Sequence, residues 1–197
     1  MKRVDATESM SRRATIYGLI AALCFFIVSA STTAVYYLVE QAVNEKEFRS
    51  FMQGIAKVSA LLVDGDLHQT FTRQEQHVTE AYKQATAKLA EAVKSDSRIK
   101  YIYTFIGKGN SLYYILDPSE PEDFDHDGKP DYETPLMLEE DEAPGLMRKA
   151  WEAQRAMVEE EPSPSLWGPL ITAYAPIFNS KGERVAVLGM DVTASDY

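Results

Sequence analysis

The chain of 197 residues has few of the side chains that enzymes use as nucleophiles or metal ligands. It contains one cysteine, Cys24, and three histidines, His68, His77 and His126. The sequence has no HExxH, GxSxG, GxGxxG or phosphate-loop motif, which disfavours zinc hydrolases, serine hydrolases and nucleotide-binding enzymes. We therefore expect no catalytic residue and no enzymatic activity, unless the chain is a piece of a kinase or cyclase.

Basic residues are scarce in the second half of the chain. Residues 117–161 carry 16 Asp and Glu against 4 Lys and Arg, a net charge of −12. The whole chain has a net charge of −10, so its acidity belongs to this segment. Nucleic-acid binding needs a basic face. No nucleic-acid partner is expected.

A long uncharged run is present near the N-terminus, at residues 14–39. As a helix it would span about 39 Å at ~1.5 Å per residue, more than a hydrocarbon core of roughly 30 Å. A cleaved signal peptide is the alternative, but its apolar region is usually only about 7–15 residues long. Because the basic residues precede the run, we predict a cytoplasmic tail at 1–13, a transmembrane helix at 14–39 and an extracytoplasmic domain at 40–197.

Two amphipathic helices are predicted after the membrane segment. In the first, apolar residues recur at helical spacing up to a "DGD" turn at 64–66, so the transmembrane helix is expected to continue outward as one long helix. The second begins at Thr72, where "TRQE" fits a capping box, and runs to "KSDS" at 94–97. The apolar residues of the first helix are Phe48, Phe51, Met52, Ile55, Val58 and Leu62.

The remaining segments favour strands. Residues 99–106 and 111–117 are β-branched and aromatic around "KGN", and 170–178 and 183–192 alternate around "NSKG", so each pair predicts an antiparallel hairpin. A short helix is predicted at 143–157. The fold class is α+β, with the N-terminal transmembrane helix continuing into a long helix packed on an antiparallel sheet.

The sequence resembles a known family, the extracytoplasmic Cache sensor domains of bacterial chemoreceptors, histidine kinases and diguanylate cyclases. The residues that carry the resemblance are "YIYTFI", "LYYILD" and above all "WGPLITAYAPIFNSKGERVAVLGMDV" at 167–192. It implies a PAS-like sheet, a small-molecule ligand, a role in signal transduction as the input part of a longer receptor, and a single-pass protein of the cell inner membrane with its domain in the periplasm or outside.

In PAS-like domains the ligand lies against the sheet face. The resemblance and the aromatic strands together nominate Tyr101, Tyr103, Tyr113, Trp167, Tyr174 and Asp191 as ligand-binding residues. The alternative is that these alternating aromatics only form sheet core. The amino-acid-binding Cache subgroup also has an arginine after the strand tyrosines, and this chain has none there, which puts amino-acid sensing in doubt.

An acidic stretch, "DFDHDGKPD" at 123–131, has the spacing of a calcium loop. Its carboxylates fall at positions 1, 3, 5 and 9, with Gly128 at position 6, where a calcium loop turns sharply. Position 12 is Thr134 instead of the bidentate Glu of an EF-hand. The loop is therefore either a Ca²⁺ site or an unliganded acidic turn. The candidate metal ligands are Asp123, Asp125, Asp127 and Asp131.

Two functions follow from the sequence. The first is a membrane-anchored extracytoplasmic sensory domain that binds a small ligand. The alternative is an anchored calcium-binding interaction or structural domain without a small-molecule pocket. In either case the membrane is a partner, and a homodimer through the long helix is a candidate assembly.

Overall fold

The computed structural model describes residues 2–119, 128–129, 134–140, 143, 145–164 and 168–194, with side chains from residue 12 onward. It divides the chain into two compact units, Met1–Glu47 and Phe48–Tyr197. The elements in chain order are α1 (Lys2–Ala60), α2 (Gly65–His68), a 3₁₀ helix (Gln74–Val78), α3 (Glu80–Ser95), β1 (Ile99–Lys108), β2 (Ser111–Tyr114), β3 (Glu139–Glu140), α4 (Gly145–Glu152), β4 (Met157–Val158), β5 (Leu170–Phe178) and β6 (Arg184–Thr193).

The uncharged run lies within α1. By length and composition, this helix can cross a membrane from Arg12 onward. Its large apolar side chains in this stretch, such as Phe25 and Leu38, are exposed. These features agree with the transmembrane prediction.

The second unit is built on one antiparallel sheet of six strands, in the order β3-β2-β1-β6-β5-β4. The two predicted hairpins are both present, as β1 with β2 and β5 with β6, and they join where β1 pairs with β6. Gly109 (φ 64°) and Gly182 (φ 76°) occupy the turns in the left-handed region, which favours glycine. The α+β fold class is confirmed.

The two faces of the sheet carry different cores. On the first face, α1 and α3 pack through Met52, Ala56 and Leu89 against strand residues such as Ile102 and Leu188. On the opposite face, α4 packs on strand aromatics. The buried residues of this second core are Tyr103, Phe105, Leu112, Met147, Ala150, Tyr174 and Val187. Because strand side chains alternate between faces, β1 contributes to both cores.

Two predicted helix boundaries were wrong. The long helix ends at Ala60 instead of 64–66, because Asp64 caps α2 by accepting hydrogen bonds from the backbone N–H groups of Asp66 and Leu67. The second helix does not begin at Thr72. A 3₁₀ helix intervenes, and α3 begins at Glu80, after the Thr79 side chain accepts from the N–H of Tyr82 at 3.3 Å.

The short helix predicted at 143–157 is also wrong in length. Helix α4 covers only Gly145–Glu152, and the residues beyond it lead into β4 at Met157. β4 pairs with β5. Edge pairing of the backbone has therefore overridden the helical spacing of this stretch.

Candidate functional site

A cavity of about 370 Å³ lies on the α4 face of the sheet. Its size falls within the range of about 300–1,000 Å³ that is usual for small-ligand sites. Strands β1, β2, β3 and β6 contribute to it, together with the segments that follow β2 and precede β3. The lining side chains used below are Tyr101, Tyr103, Tyr114, Asp117, Glu140 and Asp191.

Strand register brings the central side chains of the cavity together. Tyr101 of β1 lies directly opposite Asp191 of β6, and Phe105 of β1 lies opposite Tyr114 of β2. Odd-numbered residues of β1 therefore share a face with both Tyr114 and Asp191. The rings of Tyr103 and Tyr114 meet edge to face, with centroids 5.2 Å apart.

A glycine at the centre of the sheet positions Tyr103. Gly189 lies opposite both Tyr103 of β1 and Tyr174 of β5. A Cβ at position 189 would come within 2.5 Å of the Tyr103 ring. Because no side chain stands between them, the two tyrosines approach each other across β6, and each influences the pKa of the other.

Asp191 is the most unusual electrostatic feature of the cavity. Its Oδ1 is buried and has no hydrogen-bond partner among the described residues. Burial raises the pKa of this carboxyl to about 7. That value includes a hydrogen bond from Thr172, which lowers the pKa, and the nearby charges of Glu159 and Asp117, which raise it. A buried polar atom without a partner costs free energy, so a further hydrogen-bond donor at Oδ1 would be stabilising.

The tyrosines around Asp191 remain neutral hydroxyls. Burial raises the pKa of Tyr103 well above its ordinary value, and the negative charge of Asp191 raises it further. Burial also raises the pKa of Tyr114, with Glu140 as the next cause. The Tyr114 hydroxyl donates to Oε2 of Glu140. These groups can donate hydrogen bonds, but they do not form the nucleophile and base pair that catalysis needs.

Three of the residues nominated from the sequence line this cavity: Tyr101, Tyr103 and Asp191. Tyr174 is buried on the same face of the sheet, on the other side of Gly189 from Tyr103, and is not among the lining residues. Tyr113 lies opposite Ile106, and so on the other face of the sheet, where its ring contacts Lys108. Trp167 lies outside the described residues.

Sequence reasoning missed one tyrosine and two acidic residues of the cavity. They are Tyr114, Asp117 and Glu140. Tyr114 was open to prediction: with Lys108 and Ser111 paired across the Gly109–Asn110 turn, Tyr114 must share the face of Tyr103. Glu140 gave no such signal, because β3 is only two residues long.

The predicted calcium ligands Asp123, Asp125, Asp127 and Asp131 also lie outside the described residues. Within the described part of the chain, no group of three or more His, Cys, Asp or Glu side chains could hold a metal ion. Calcium binding by this loop stays a prediction.

A second buried polar site lies on the opposite face of the sheet. His68 is 1% exposed. Its Nε2 is 2.8 Å from Oγ1 of Thr104, which also accepts a hydrogen bond from the backbone N–H of Leu116. Burial lowers the pKa of His68 to about 4. The ring is therefore a neutral part of the core, and it faces away from the tyrosine cavity.

Comparison with protein-family models finds no match, and comparison with curated proteins finds none either. Solved structures similar to this chain include the sensory domain of the Campylobacter jejuni chemoreceptor Tlp3 with isoleucine bound, at 14% identity and a TM-score of 0.45, covering 77% of this chain and 54% of that one. Another is the ligand-binding domain of the Pseudomonas aeruginosa amino acid chemoreceptor PctC in complex with GABA, at 18% identity and a TM-score of 0.44, covering 81% and 61%.

These solved structures are sensory and ligand-binding domains of chemoreceptors, the class of domain that the sequence resemblance names. The chain spans about half the length of the Tlp3 structures that it matches.

Proposed function

We propose that the second unit is a Cache-like sensory domain that binds a small molecule in the tyrosine cavity. The observation that carries this proposal is Asp191, which lines the cavity and whose buried Oδ1 lacks a hydrogen-bond partner among the described residues. A ligand that donates a hydrogen bond to this oxygen would remove the cost of leaving it unpaired.

The cavity also has the composition of a binding site. Tyrosine rings supply flat apolar surface, and a few polar groups converge on one side of it. The sequence lacks the motifs of common enzyme classes, and the described residues that line the cavity include no nucleophile and base pair. We therefore infer a sensor without enzymatic activity of its own.

Helix α1 is the proposed route of the signal. Its residues from Phe48 onward belong to the second unit, where Met52 and Ala56 pack in the first-face core. Its uncharged run at 14–39 would cross the membrane with the N-terminus in the cytoplasm. Ligand binding would shift the sheet under Met52 and Ala56 and so move α1, which would act on the output part of a longer receptor.

Thermal unfolding of the full chain in detergent tests the proposal against a library of metabolites. A ligand bound only by the folded state raises stability with its concentration, by about 2.7 kcal/mol at 100 times Kd. We expect at least one metabolite to raise Tm in this way. The rise should be lost in Asp191→Asn and kept in Tyr113→Phe, whose ring lies on the other face.

Two outcomes would contradict the proposal. One is a metabolite-dependent rise in Tm that persists in Asp191→Asn, because binding would then occur elsewhere. The other is stabilisation by millimolar calcium with none from any metabolite, which is the result expected of a calcium-binding structural domain.

A further inference from the structure

The tyrosine cavity is acidic. Asp117, Glu140 and Asp191 contribute carboxylates to it, and none of its described lining residues is a Lys or Arg. The three carboxylates come from different places in the chain: the segment after β2, strand β3 and strand β6. They converge only in the folded domain.

Glu139 lines the cavity too, but its side chain belongs to the other face. It lies opposite Tyr113, and its Oε2 accepts a hydrogen bond from the Tyr113 hydroxyl at 3.3 Å. Glu140 lies opposite Leu112, on the cavity face. The carboxylates of the two adjacent glutamates of β3 thus lie on opposite faces of the sheet.

The undescribed residues of the second unit supply no Lys or Arg. These are 120–127, 130–133, 141–142, 144, 165–167 and 195–197, and their sequence contains no Lys or Arg. Whatever their placement, they add no guanidinium or ammonium group to the cavity. A carboxylate on a ligand would therefore meet three carboxylates, and no Lys or Arg, among the described lining residues used here.

We infer that the ligand of the tyrosine cavity is a small organic cation, an amine that carries no carboxylate. This inference rests on the proposed function and adds the chemical class of the ligand. An ammonium group donates up to three hydrogen bonds, so it can satisfy the buried Oδ1 of Asp191. The faces of Tyr101, Tyr103 and Tyr114 attract the same cation through their ring quadrupoles.

The charge of the cavity separates this class from amino acids. An amino acid brings an ammonium group that suits Asp191, but also a carboxylate that Asp117 and Glu140 repel. In a partly buried site such like-charge contacts are poorly screened. An amine without a carboxylate receives the attraction and avoids the repulsion.

Four compounds with the same four-carbon chain test the inference: 1,4-diaminobutane, butylamine, 4-aminobutanoate and 1,4-butanediol. Each is added to the full chain in detergent at equal ionic strength, and Tm and Kd are measured by thermal unfolding and calorimetry. We expect both amines to raise Tm, and 4-aminobutanoate and the diol to leave it unchanged.

Variants assign the effect to the cavity. Because hydrogen bonds to charged groups contribute about 1.5–3 kcal/mol, Asp191→Asn should weaken diamine binding at least about tenfold. Glu140→Gln should also weaken it, while the control Glu91→Gln, at an exposed position of α3 on the opposite face of the sheet, should leave Kd unchanged. Both glutamines keep the size of the side chain, so loss of folding would not explain a difference between them.

The inference is overturned if 4-aminobutanoate or the diol stabilises the chain as strongly as the diamine, or if Asp191→Asn binds the diamine as tightly as the unaltered chain. In both cases the proposed function is judged separately. It survives if some other metabolite raises Tm in an Asp191-dependent way, and it fails together with the inference if no compound does.

Discussion

At the scale of single residues, the site depends on a glycine, because a side chain at that position would occupy the space of a neighbouring tyrosine. Gly189 has tyrosines opposite it on both neighbouring strands, and the Tyr103 ring occupies the space that a Cβ would fill. The Tyr103 and Tyr174 side chains therefore lie on the same face of the sheet on either side of this glycine. The sequence "VLGMDV" alone does not show whether this glycine marks an irregularity in the strand or makes room for a neighbouring side chain. The neighbours that require it come from β1 and β5.

We predict that Gly189→Ala displaces Tyr103 from its position beside Asp191. The added methyl group would lie 2.5 Å from the ring, so the ring must move or the strands must separate. The expected result is a lower Tm and a Kd for the cavity ligand raised about five- to thirtyfold, since lost ring contacts of this kind are worth roughly 1–2 kcal/mol.

Gly54→Ala is the matched control for this change. Gly54 lies within α1 and has nothing within 4 Å of its Cβ position. Replacing it should leave Kd unchanged and stabilise the helix by roughly 0.5–1 kcal/mol. A Gly189→Ala variant that binds ligand as the unaltered chain does would show that Tyr103 is not part of the site.

At the scale of secondary-structure elements, the face that α1 turns to the sheet differs from the predicted stripe. Met52, Ala56 and Ala60 are buried, whereas Val58 and Leu62 of the stripe are exposed. Small alanines allow the helix to lie close to the sheet, and hydropathy alone does not favour them over valine and leucine. The exposed residues are those through which the candidate homodimer would form, and that assembly stays a prediction.

We predict that Met52→Ala destabilises the second unit by about 2–5 kcal/mol, because it empties a fully buried position. Val58→Ala, at a position 64% exposed, should change the free energy of unfolding by less than about 0.5 kcal/mol. Chemical unfolding of the full chain in detergent measures both. Equal losses in the two variants would contradict the assignment of faces, and a change in oligomeric state in Val58→Ala alone would support the dimer.

The hairpins illustrate what sequence patterns predict well. "KGN" and "NSKG" place glycine where a positive φ is needed, and alternating β-branched residues flank them, so both hairpins were predicted close to their observed bounds. Strands β3 and β4 have two residues each, too few for any alternation to be visible. Their positions follow from pairing with β2 and β5.

At the scale of the whole molecule, two buried titratable groups on opposite faces of the sheet have opposite effects on how stability depends on pH. His68 lies in the first-face core with a pKa lowered to about 4 by burial, and Asp191 lies at the cavity with a pKa raised to about 7, mainly by burial. Between pH 4 and 6.5, the unfolded chain binds a proton at His68 that the folded chain does not. Over the same range, the folded chain keeps a proton at Asp191 that the unfolded chain has lost.

Stability therefore rises with pH on account of His68 and falls with pH on account of Asp191. We predict that the two contributions to the pH dependence of stability largely cancel between pH 4 and 6.5. In a variant that lacks one of the two groups, the pH dependence contributed by the other group should become visible. Relative to the unaltered chain, Asp191→Asn should gain a positive slope of up to about 1.4 kcal/mol per pH unit. His68→Gln should gain a negative slope of similar size.

Unfolding of the ligand-free chain at pH 4.5, 5.5 and 6.5 measures these slopes. The slope is compared instead of the absolute stability, so a constant loss from the buried substitution at His68 does not affect the result. If both variants keep the pH dependence of the unaltered chain, neither group has the environment that the structure shows.

The amino-acid sequence by itself determined the properties that depend on local spacing and composition: the uncharged run at 14–39, the two glycine hairpins, the α+β class and the acidity of 117–161. Only the tertiary structure decided the site. Tyr101, Tyr103 and Asp191 were nominated from strand pattern, but Tyr113 belongs to the other face, and Tyr114, Asp117 and Glu140 complete the cavity. The physical reason is that register between distant strands determines which side chains meet and how their charges combine, and no local pattern specifies it.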